Sequence, residues 1–405
     1  MSKINKLKIF NDPIYGFISI PNALVYDLVQ HPYFQRLRRI SQMGLSYLVY
    51  PGANHTRFHH ALGCMYIMQK AVEVLRFKGI SISDEEENAL YIAILLHDIG
   101  HGPFSHAMEK SIVEDVHHEA ISLLFMNQLN VEFGGQLSLA IQVFRGDYHR
   151  KFMLQLISSQ LDMDRMDYLK RDSFYSGVAE GNINSERLIQ MMNVVDDVLV
   201  IEEKGIYSVE KFLVARRQMY WQVYLHKTVL SAEKMLVKIL ERARSLYTNS
   251  DAAMQTQSAL DYFLGTFNGS MDAFALQQFC SLDDHDIMHA IKRWSTHPDK
   301  VLSLLCSRFL TRKLYKTTIQ SEPFLPATIA AKQKESIEAF NLDVSEMDYV
   351  CFTGEATNTL YQTKDERINI LFKDGSIKDI SLIDNALIHQ NLSAAVKKNY
   401  ICQLL

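Results

Sequence analysis

No proline stands between Pro103 and Pro298, although the 405-residue chain contains eight. Proline breaks helix interiors because it lacks the amide hydrogen and its ring strikes the preceding turn, so this interval is free to be helical almost throughout. Apolar residues at helical spacing predict helices over 111–129, 137–143, 152–170, 185–195, 209–246 and 259–267. Upstream, Ser83-Asp84-Glu85-Glu86 has the form of a capping box. It predicts a helix that runs through the apolar stretch Leu90–Leu96 into His97. Two stretches read as hairpins instead: 198–207, and 368–377 with an Asp374-Gly375 pair suited to a tight primed turn. The expected fold is mainly α, with small β-hairpins and an α+β C-terminal region. Polar residues at Thr248–Asp251 and the prolines at Pro323 and Pro326 suggest module boundaries, giving a division into 1–245 and 246–405.

Charge and cysteine usage exclude several classes. A net charge of -4 is small for this length and argues against a chain-wide footprint for nucleic acid or an anionic membrane. The five cysteines, Cys64, Cys280, Cys306, Cys351 and Cys402, are scattered with no CxxC spacing, which fits a reducing, cytoplasmic setting. The basic start Met1–Phe10 has no apolar stretch behind it, and no segment is apolar enough to span a bilayer. A soluble cytoplasmic protein is expected.

The chemistry concentrates at the end of the apolar helix. His97-Asp98-Ile99-Gly100-His101-Gly102-Pro103-Phe104-Ser105-His106 puts three imidazoles and a carboxylate beside a core, where polar groups need partners. A metal ion is the simplest partner, yet adjacent helical residues point about 100° apart, so further ligands must come from elsewhere. Candidates are His59-His60 and the pair Asp162/Asp164. Two imidazoles and two carboxylates suit a hard or borderline divalent ion and leave room for water and phosphate.

A histidine, a His-Asp pair and a distant aspartate together resemble the HD phosphohydrolase superfamily signature. Matched residue by residue, His60, His97, Asp98 and Asp164 fall on its metal ligands. The segments Asn11–Gly16, Phe34–Arg38, Arg57–His60 and His97–His106 narrow the likeness to the HD-domain deoxynucleoside triphosphate triphosphohydrolases, in the branch with the mammalian sterile-alpha-motif and HD-domain enzyme. The likeness covers roughly the first 230 residues. It begins almost at Met1, so no sterile-alpha-motif region is expected.

The resemblance implies an HD-domain helical fold and hydrolysis of a dNTP at the α-phosphorus to deoxynucleoside and triphosphate, either dGTP-preferring or dNTP-activated. It implies a divalent metal, with iron, manganese, zinc, nickel and magnesium left open by the mixed ligand set. His118 matches the proton donor, Glu109 the carboxylate that orients it, and His101 and His106 line the same wall near phosphates and nucleoside. Arg57, Arg165 and Arg216 match phosphate positions, with Arg165 standing where lysine is more familiar. Gln42 and Asp172 match residues on the 3′-hydroxyl, and Tyr168 and Tyr224 match those crowding the 2′ position.

Relatives in this branch form tetramers with inter-subunit nucleotide pockets, and the equivalent segments supply Lys8, Gln35, Arg38 and Lys227. Gln30 stands where a guanine-reading aspartate is found in the mammalian enzyme; an amide offers one acceptor where a carboxylate offers two, which puts strict guanine activation in doubt. A nucleotide-responsive homo-oligomer, most simply a tetramer, is expected, without membrane or nucleic-acid partners.

Plainer readings compete. An isolated His-Asp pair is ordinarily a satisfied core hydrogen bond, His118 could sit on an exposed helix face, any single arginine could be a surface ion pair, and Tyr168 and Tyr224 could be core aromatics. His55, His59 and His117 are expected to face solvent or pack locally. Among HD enzymes, cyclic-dinucleotide phosphodiesterases carry a Gly-Tyr-Pro element and stringent-response hydrolases an acidic pair after His-Asp; both are absent. Another HD-type nucleotidase or phosphodiesterase, or a non-catalytic nucleotide sensor, are the alternatives. A sensor should have lost a ligand or the proton donor, and none is lost. A single-strand binder should show an aromatic and basic stripe, which is missing.

Overall fold

The computed structural model describes residues 8–105, 117–248, 251–358, 367–383 and 396–405. The described residues open with an antiparallel hairpin, β1 (Ile9–Asp12) and β2 (Gly16–Ser19). Asp12 closes its turn by accepting the amides of Ile14 and Tyr15 at 2.9 and 3.0 Å. Helices α1 (Ala23–Gln30) and α2 (Pro32–Gln35) follow. Then come the two long helices of the core, α3 (Arg57–Phe77) and α4 (Asp84–Leu96).

The capping box is present as expected. Ser83 accepts the Glu86 amide at 3.1 Å while Glu86 takes the Ser83 amide at 2.8 Å, and Asp84 to Glu87 place four acids on the first turn. Acids there favour the helix dipole. From Ala89 to Leu96 every residue is buried, so α4 runs through the middle of the core and delivers His97 to its end.

Several expected boundaries move. Helix α5 spans His118–Glu132, and residues 106–116 of the 111–129 prediction and its flank lie outside the described part. After α6 (Ser138–Arg145), the expected helix over 152–170 is two helices, α7 (Lys151–Ile157) and α8 (Met163–Ser176). Asp162 causes the break: its carboxylate accepts the amides of Ser159 and Arg165, both at 2.7 Å, and so starts a new helix where the old one would continue. Helix α9 (Ser185–Gln190) ends at strand β3 (Met192–Val195).

Strand β3 pairs with β4 (Val198–Glu202) across Asp196 and Asp197, both at positive φ, as a two-residue primed turn requires. The first hairpin therefore lies one strand earlier than the expected 198–207, and its far half opens helix α10 (Ile206–Met219) instead. The expected 209–246 helix is interrupted by a π-helical turn at Tyr220–Tyr224 before α11 (Lys227–Leu246).

Beyond lie α12 (Leu260–Gly265), α13 (Ala273–Ser281), α14 (Asp284–Trp294), α15 (Lys300–Leu310), strand β5 (Lys316–Gln320) and α16 (Pro326–Phe340). Strands β6 (Cys351–Asn358), β7 (Asn369–Leu371), β8 (Ile377–Asp379) and β9 (Val396–Gln403) complete the chain. The Asp374-Gly375 hairpin forms between β7 and β8, but with Phe372 and Ser376 still bonded and Gly375 at φ 83° its loop has three residues. Strand β7 also adds in parallel to β4, setting Val200 opposite Asn369 in a four-stranded sheet ordered β3-β4-β7-β8. A separate sheet, β5-β9-β6, closes the C-terminal part.

The fold is thus mainly helical with small β elements, as expected. Helix α3 packs on α4 and α8, which brings His60, His97 and Asp164 together. Among the described residues, no helix is long and apolar enough to cross a membrane.

Candidate metal centre

The His-Asp turn is built by close backbone approach. His97 caps α4, its carbonyl accepts the Ser122 hydroxyl at 2.7 Å, and that hydroxyl accepts the Gly100 amide at 2.9 Å. A Cβ on Gly100 would stand 2.2 Å from the His118 carbonyl oxygen, so only glycine lets α5 dock here. The docking stacks His118 on His101 with ring centroids 3.9 Å apart. From the other side, the fully buried Arg36 donates to the carbonyls of His101 (2.8 Å) and Ile99 (3.0 Å). Burial pushes its pKa down to about 10, which leaves it charged at neutral pH.

The four matched ligands converge. His60, on the first turn of α3, directs Nε2 toward Asp164 Oδ1 at 3.1 Å and Asp98 Oδ2 at 3.6 Å. His97 Nε2 lies 3.5 Å from Asp98 Oδ1 and 3.6 Å from Asp164 Oδ1. The remaining ring nitrogens are tied down, His60 Nδ1 to Asp167 at 2.7 Å and His97 Nδ1 to the Ile94 carbonyl at 2.6 Å. The sequence left Asp162 and Asp164 as alternatives. Asp162 is spent as the cap of α8, and Asp164, two residues on, faces the histidines.

This arrangement fits a divalent cation. His97 Nε2 is buried without a hydrogen-bond partner, and a tied-down Nδ1 on each ring fixes the tautomer that presents Nε2 as a ligand. Burial alone would depress His60, yet Cys64, Asp164 and Asp167 raise it well above the ordinary histidine value. Asp98 is held well below the carboxylate range against its burial by His97, Arg57 and His101. Such a field calls for positive charge. Cys64 Sγ, 3.5 Å from His60 Nδ1, belongs to the same cluster, but burial pushes its thiol far up and keeps it protonated, a poor ligand for a hard ion.

Arg57 forms an ion pair with Asp98 and donates Nε to the Ser105 hydroxyl at 2.8 Å. Ser105 and Phe104 adopt positive φ, 55° and 51°, and Asp284 braces their loop by accepting the Phe104 amide at 2.7 Å and the Ser41 amide at 2.8 Å. Strain of this kind persists where the surroundings over-determine it. His101 stays neutral, its pKa held well below the ordinary value by burial and by Arg57. His106 and Glu109 lie outside the described residues.

Next to the metal ligands, Arg165 donates to the Ser159 carbonyl at 2.5 Å and pairs with Asp162 at 3.2 Å, while Arg216 donates to Gln160 at 3.0 Å. The Tyr168 hydroxyl feels both arginines and Asp164. Tyr224 donates to Asp172 at 2.6 Å, and Asp172 also meets His55 Nε2 at 2.7 Å. His55 thus packs into the site and stacks on Tyr175. His59 packs locally, accepting the Thr56 amide to start α3. Gln42 Oε1 is buried without a partner. Of the expected effector residues, Arg38 donates to Gln35 at 2.9 Å and lies over Phe58, Lys8 lies over Tyr26, and Lys227 opens α11. Among the described residues no hydrogen bond or ion pair joins Lys8 or Lys227 to the Gln35–Arg38 pair.

Sequence reasoning missed Asp167, Arg171, Asp284, Ser105 and His55. Only Asp167 and Arg171 carried a signal, an Asp-x-x-x-Arg spacing on α8 that pairs side chains at i and i+4.

A helical core that brings a histidine, a His-Asp pair and a distant aspartate together defines a phosphohydrolase of the HD type. Residues 57–172 match the HD domain family and residues 183–264 the HD associated region. A crystal structure of a phosphohydrolase from Bacteroides thetaiotaomicron superposes with a TM-score of 0.91 at 48% identity, covering 98% of this chain and 100% of that one. An uncharacterized protein, YwfO of Bacillus subtilis, is 35% identical over 94% of this chain and 88% of its own length. The deoxynucleoside triphosphate triphosphohydrolase SAMHD1 homolog of Dictyostelium discoideum is 30% identical over 60% of this chain and 51% of its own. The chain belongs to the HD-domain phosphohydrolase family.

Proposed function

We propose that the protein hydrolyses dNTPs at the α-phosphorus to deoxynucleoside and triphosphate. The observation that carries this reading is the juxtaposition of two clusters sharing one wall: His60, His97 and Asp164, and beside them Asp98, His101 and His118. The first has the chemistry of a metal site and the second that of proton transfer. The likeness to the Dictyostelium triphosphohydrolase supports the substrate class.

A divalent ion held by His60, His97, Asp98 and Asp164 supplies a Lewis acid that polarises the phosphate and acidifies water. The bond from a water oxygen to the α-phosphorus forms as the bond to the 5′-oxygen breaks, and that oxygen takes a proton. His118 is the proposed donor, oriented by Glu109, and the stacked, neutral His101 supports its imidazolium and faces the phosphates. Arg57, Arg165 and Arg216 are proposed to hold the triphosphate, using the planar fork that binds oxygens in pairs. Gln42, with its unpartnered oxygen, and Asp172 would take the 3′-hydroxyl, His106 the nucleoside, and Tyr168 and Tyr224 would exclude a 2′-hydroxyl by crowding.

The reading extends to assembly. Residues 1–245 carry the chemistry, 246–405 serve oligomer contacts or regulation, and Lys8, Gln35, Arg38 and Lys227 meet an activating nucleotide between subunits of a tetramer. The bond from the Phe104 amide to Asp284 at 2.7 Å supports a link between the C-terminal part and the site loop. Purified protein incubated with each dNTP and Mn²⁺, Mg²⁺ or Fe²⁺, with and without dGTP, should release deoxynucleoside and triphosphate in equal amounts. Release of pyrophosphate or orthophosphate instead would replace the reaction, and absence of any product would favour the sensor.

A further inference from the structure

The β1–β2 hairpin is far from the metal ligands in sequence, yet an unbroken chain of buried charged groups joins them. Asp12 Oδ2 accepts from Arg171 Nη1 at 2.8 Å. Arg171 turns the rest of its fork on Asp167, Nε to Oδ2 and Nη2 to Oδ1, both at 2.9 Å. Asp167 Oδ2 in turn holds His60 Nδ1 at 2.7 Å. The side chains of Arg171, Asp167 and His60 are wholly excluded from solvent, and that of Asp12 nearly so.

Two further features belong to the same construction. Gly63, one turn beyond His60, lies where a Cβ would stand 2.1 Å from Asp167 Oδ1 and 2.2 Å from Arg171 Nη2. The bare helix surface is what lets the pair reach the histidine. Tyr15, in the hairpin turn that Asp12 closes, lies against Arg171 with 5.6 Å from the guanidinium to its ring centroid. The hairpin thus touches Arg171 through both an ion pair and a ring.

Elementary electrostatics couples these groups. Arg171 is shared between two carboxylates, and in a dry environment neither contact is cheap to lose. Loosening Asp12 leaves Arg171 to bear on Asp167 alone, drawing that carboxylate's charge away from the imidazole it orients. Carboxylates behind a ligating histidine set its ring orientation and basicity.

We propose that Asp12, Arg171 and Asp167 form a positioning relay through which the seating of the β1–β2 hairpin sets the affinity of the metal centre. The relay rests on the metal reading of His60, His97, Asp98 and Asp164 and deepens it, since it makes metal retention depend on the edge of the fold next to Lys8. It also means that a partner or nucleotide that shifts the hairpin alters the metal centre without touching a ligand.

The test is Mn²⁺ and Zn²⁺ affinity, measured on the full-length chain by competition with a chromophoric chelator. Asp167→Asn should weaken binding about 10- to 100-fold, and Asp12→Asn by a smaller factor in the same direction. In the double variant Asp12→Asn should add nothing, because the link is already cut. Asp12→Glu, which keeps the charge, should recover part of the loss. Asp299→Asn, which removes the Arg242 ion pair away from the relay, should lower stability and leave metal affinity alone. If Asp12→Asn does not fold, Tyr15→Leu, which loosens the same hairpin, must weaken metal binding instead. Wild-type affinity in the folded hairpin variant, or full additivity with Asp167→Asn, overturns the relay alone. No binding of either ion by the wild-type chain overturns the metal reading and the relay with it.

Discussion

At the metal end of the site, His60 and His97 each have one ring nitrogen tied down and the other turned toward carboxylates, and His97 Nε2 makes no hydrogen bond among the described residues. At the sugar end, Asp172 already accepts the Tyr224 hydroxyl at 2.6 Å and meets His55 Nε2 at 2.7 Å before any ligand arrives. One end turns an unbonded ring nitrogen toward carboxylates, as a cation site requires, whereas the Tyr224–Asp172–His55 group of the other end is already bonded within itself. A group waiting for a ligand contributes through that ligand, so its loss should be felt in turnover by orders of magnitude. A group already bonded to its neighbours holds a shape, and losing one bond of several should cost little.

The largest expected effect follows at the metal end. His97→Ala should reduce turnover by about 4 kcal/mol, ~10³-fold, and lower metal content below one ion per chain. Near-normal metal content with lost activity would break the contrast by making His97 a chemical rather than a ligating group. His118→Ala should cost about 10²- to 10⁴-fold in turnover while metal content stays intact, measured with saturating dNTP. Retained activity would remove the proton-donor role.

Glu233, on α11 outside both ends, gives a test through pH that reads stability instead of turnover. Its side chain lies near Gly44 and Tyr220, and burial lifts its carboxyl to about 7, with Lys234 partly opposing. The folded pKa is above the unfolded value of about 4.3, so the folded chain binds the extra proton between those limits. The stability it contributes is complete below about pH 4 and is lost as pH rises through 7. Glu233→Gln should therefore gain up to about 2 kcal/mol relative to wild type at pH 8 and little at pH 5, read by urea unfolding. An equal change at both pH values would show that the carboxyl titrates normally.

The smallest effect is expected for Tyr224→Phe. It removes one hydrogen bond to Asp172, worth about 1 kcal/mol, and should raise KM for dNTPs about fivefold with kcat little changed. Discrimination against ribonucleotides should fall with it. A large loss of kcat would mean that the sugar end, too, is incomplete until substrate binds.

Local signals were readable wherever a residue acts on its own neighbourhood. The capping box at Ser83, the apolar run of α4 and the place of the chain reversal at Asp374-Gly375 appear where expected, because caps, periodicity and turn positions are decided within a few residues, although that turn is a three-residue loop and not the tight primed one. The reading failed where two local outcomes were nearly equal. The apolar pattern over 152–170 suits one helix, but Asp162 competes for backbone amides and splits it, and the 198–207 hairpin lost to the Asp196-Asp197 turn just upstream.

His60, His97, Asp98 and Asp164 could be recognised in the sequence by their pattern and by family likeness. What the pattern could not contain is the rest of the site's wiring. That Asp164 rather than Asp162 faces the histidines, that Asp12 reaches Arg171 across 159 positions, and that Asp284 clamps the Phe104 loop from 180 positions away are outcomes of packing. The sequence by itself determined the helices, their caps and the kinds of ligand atom available, since these follow from backbone sterics and side-chain chemistry. Only the tertiary structure decided which of those atoms meet, because burial, not proximity along the chain, makes an ion pair or an unpartnered nitrogen costly enough to matter.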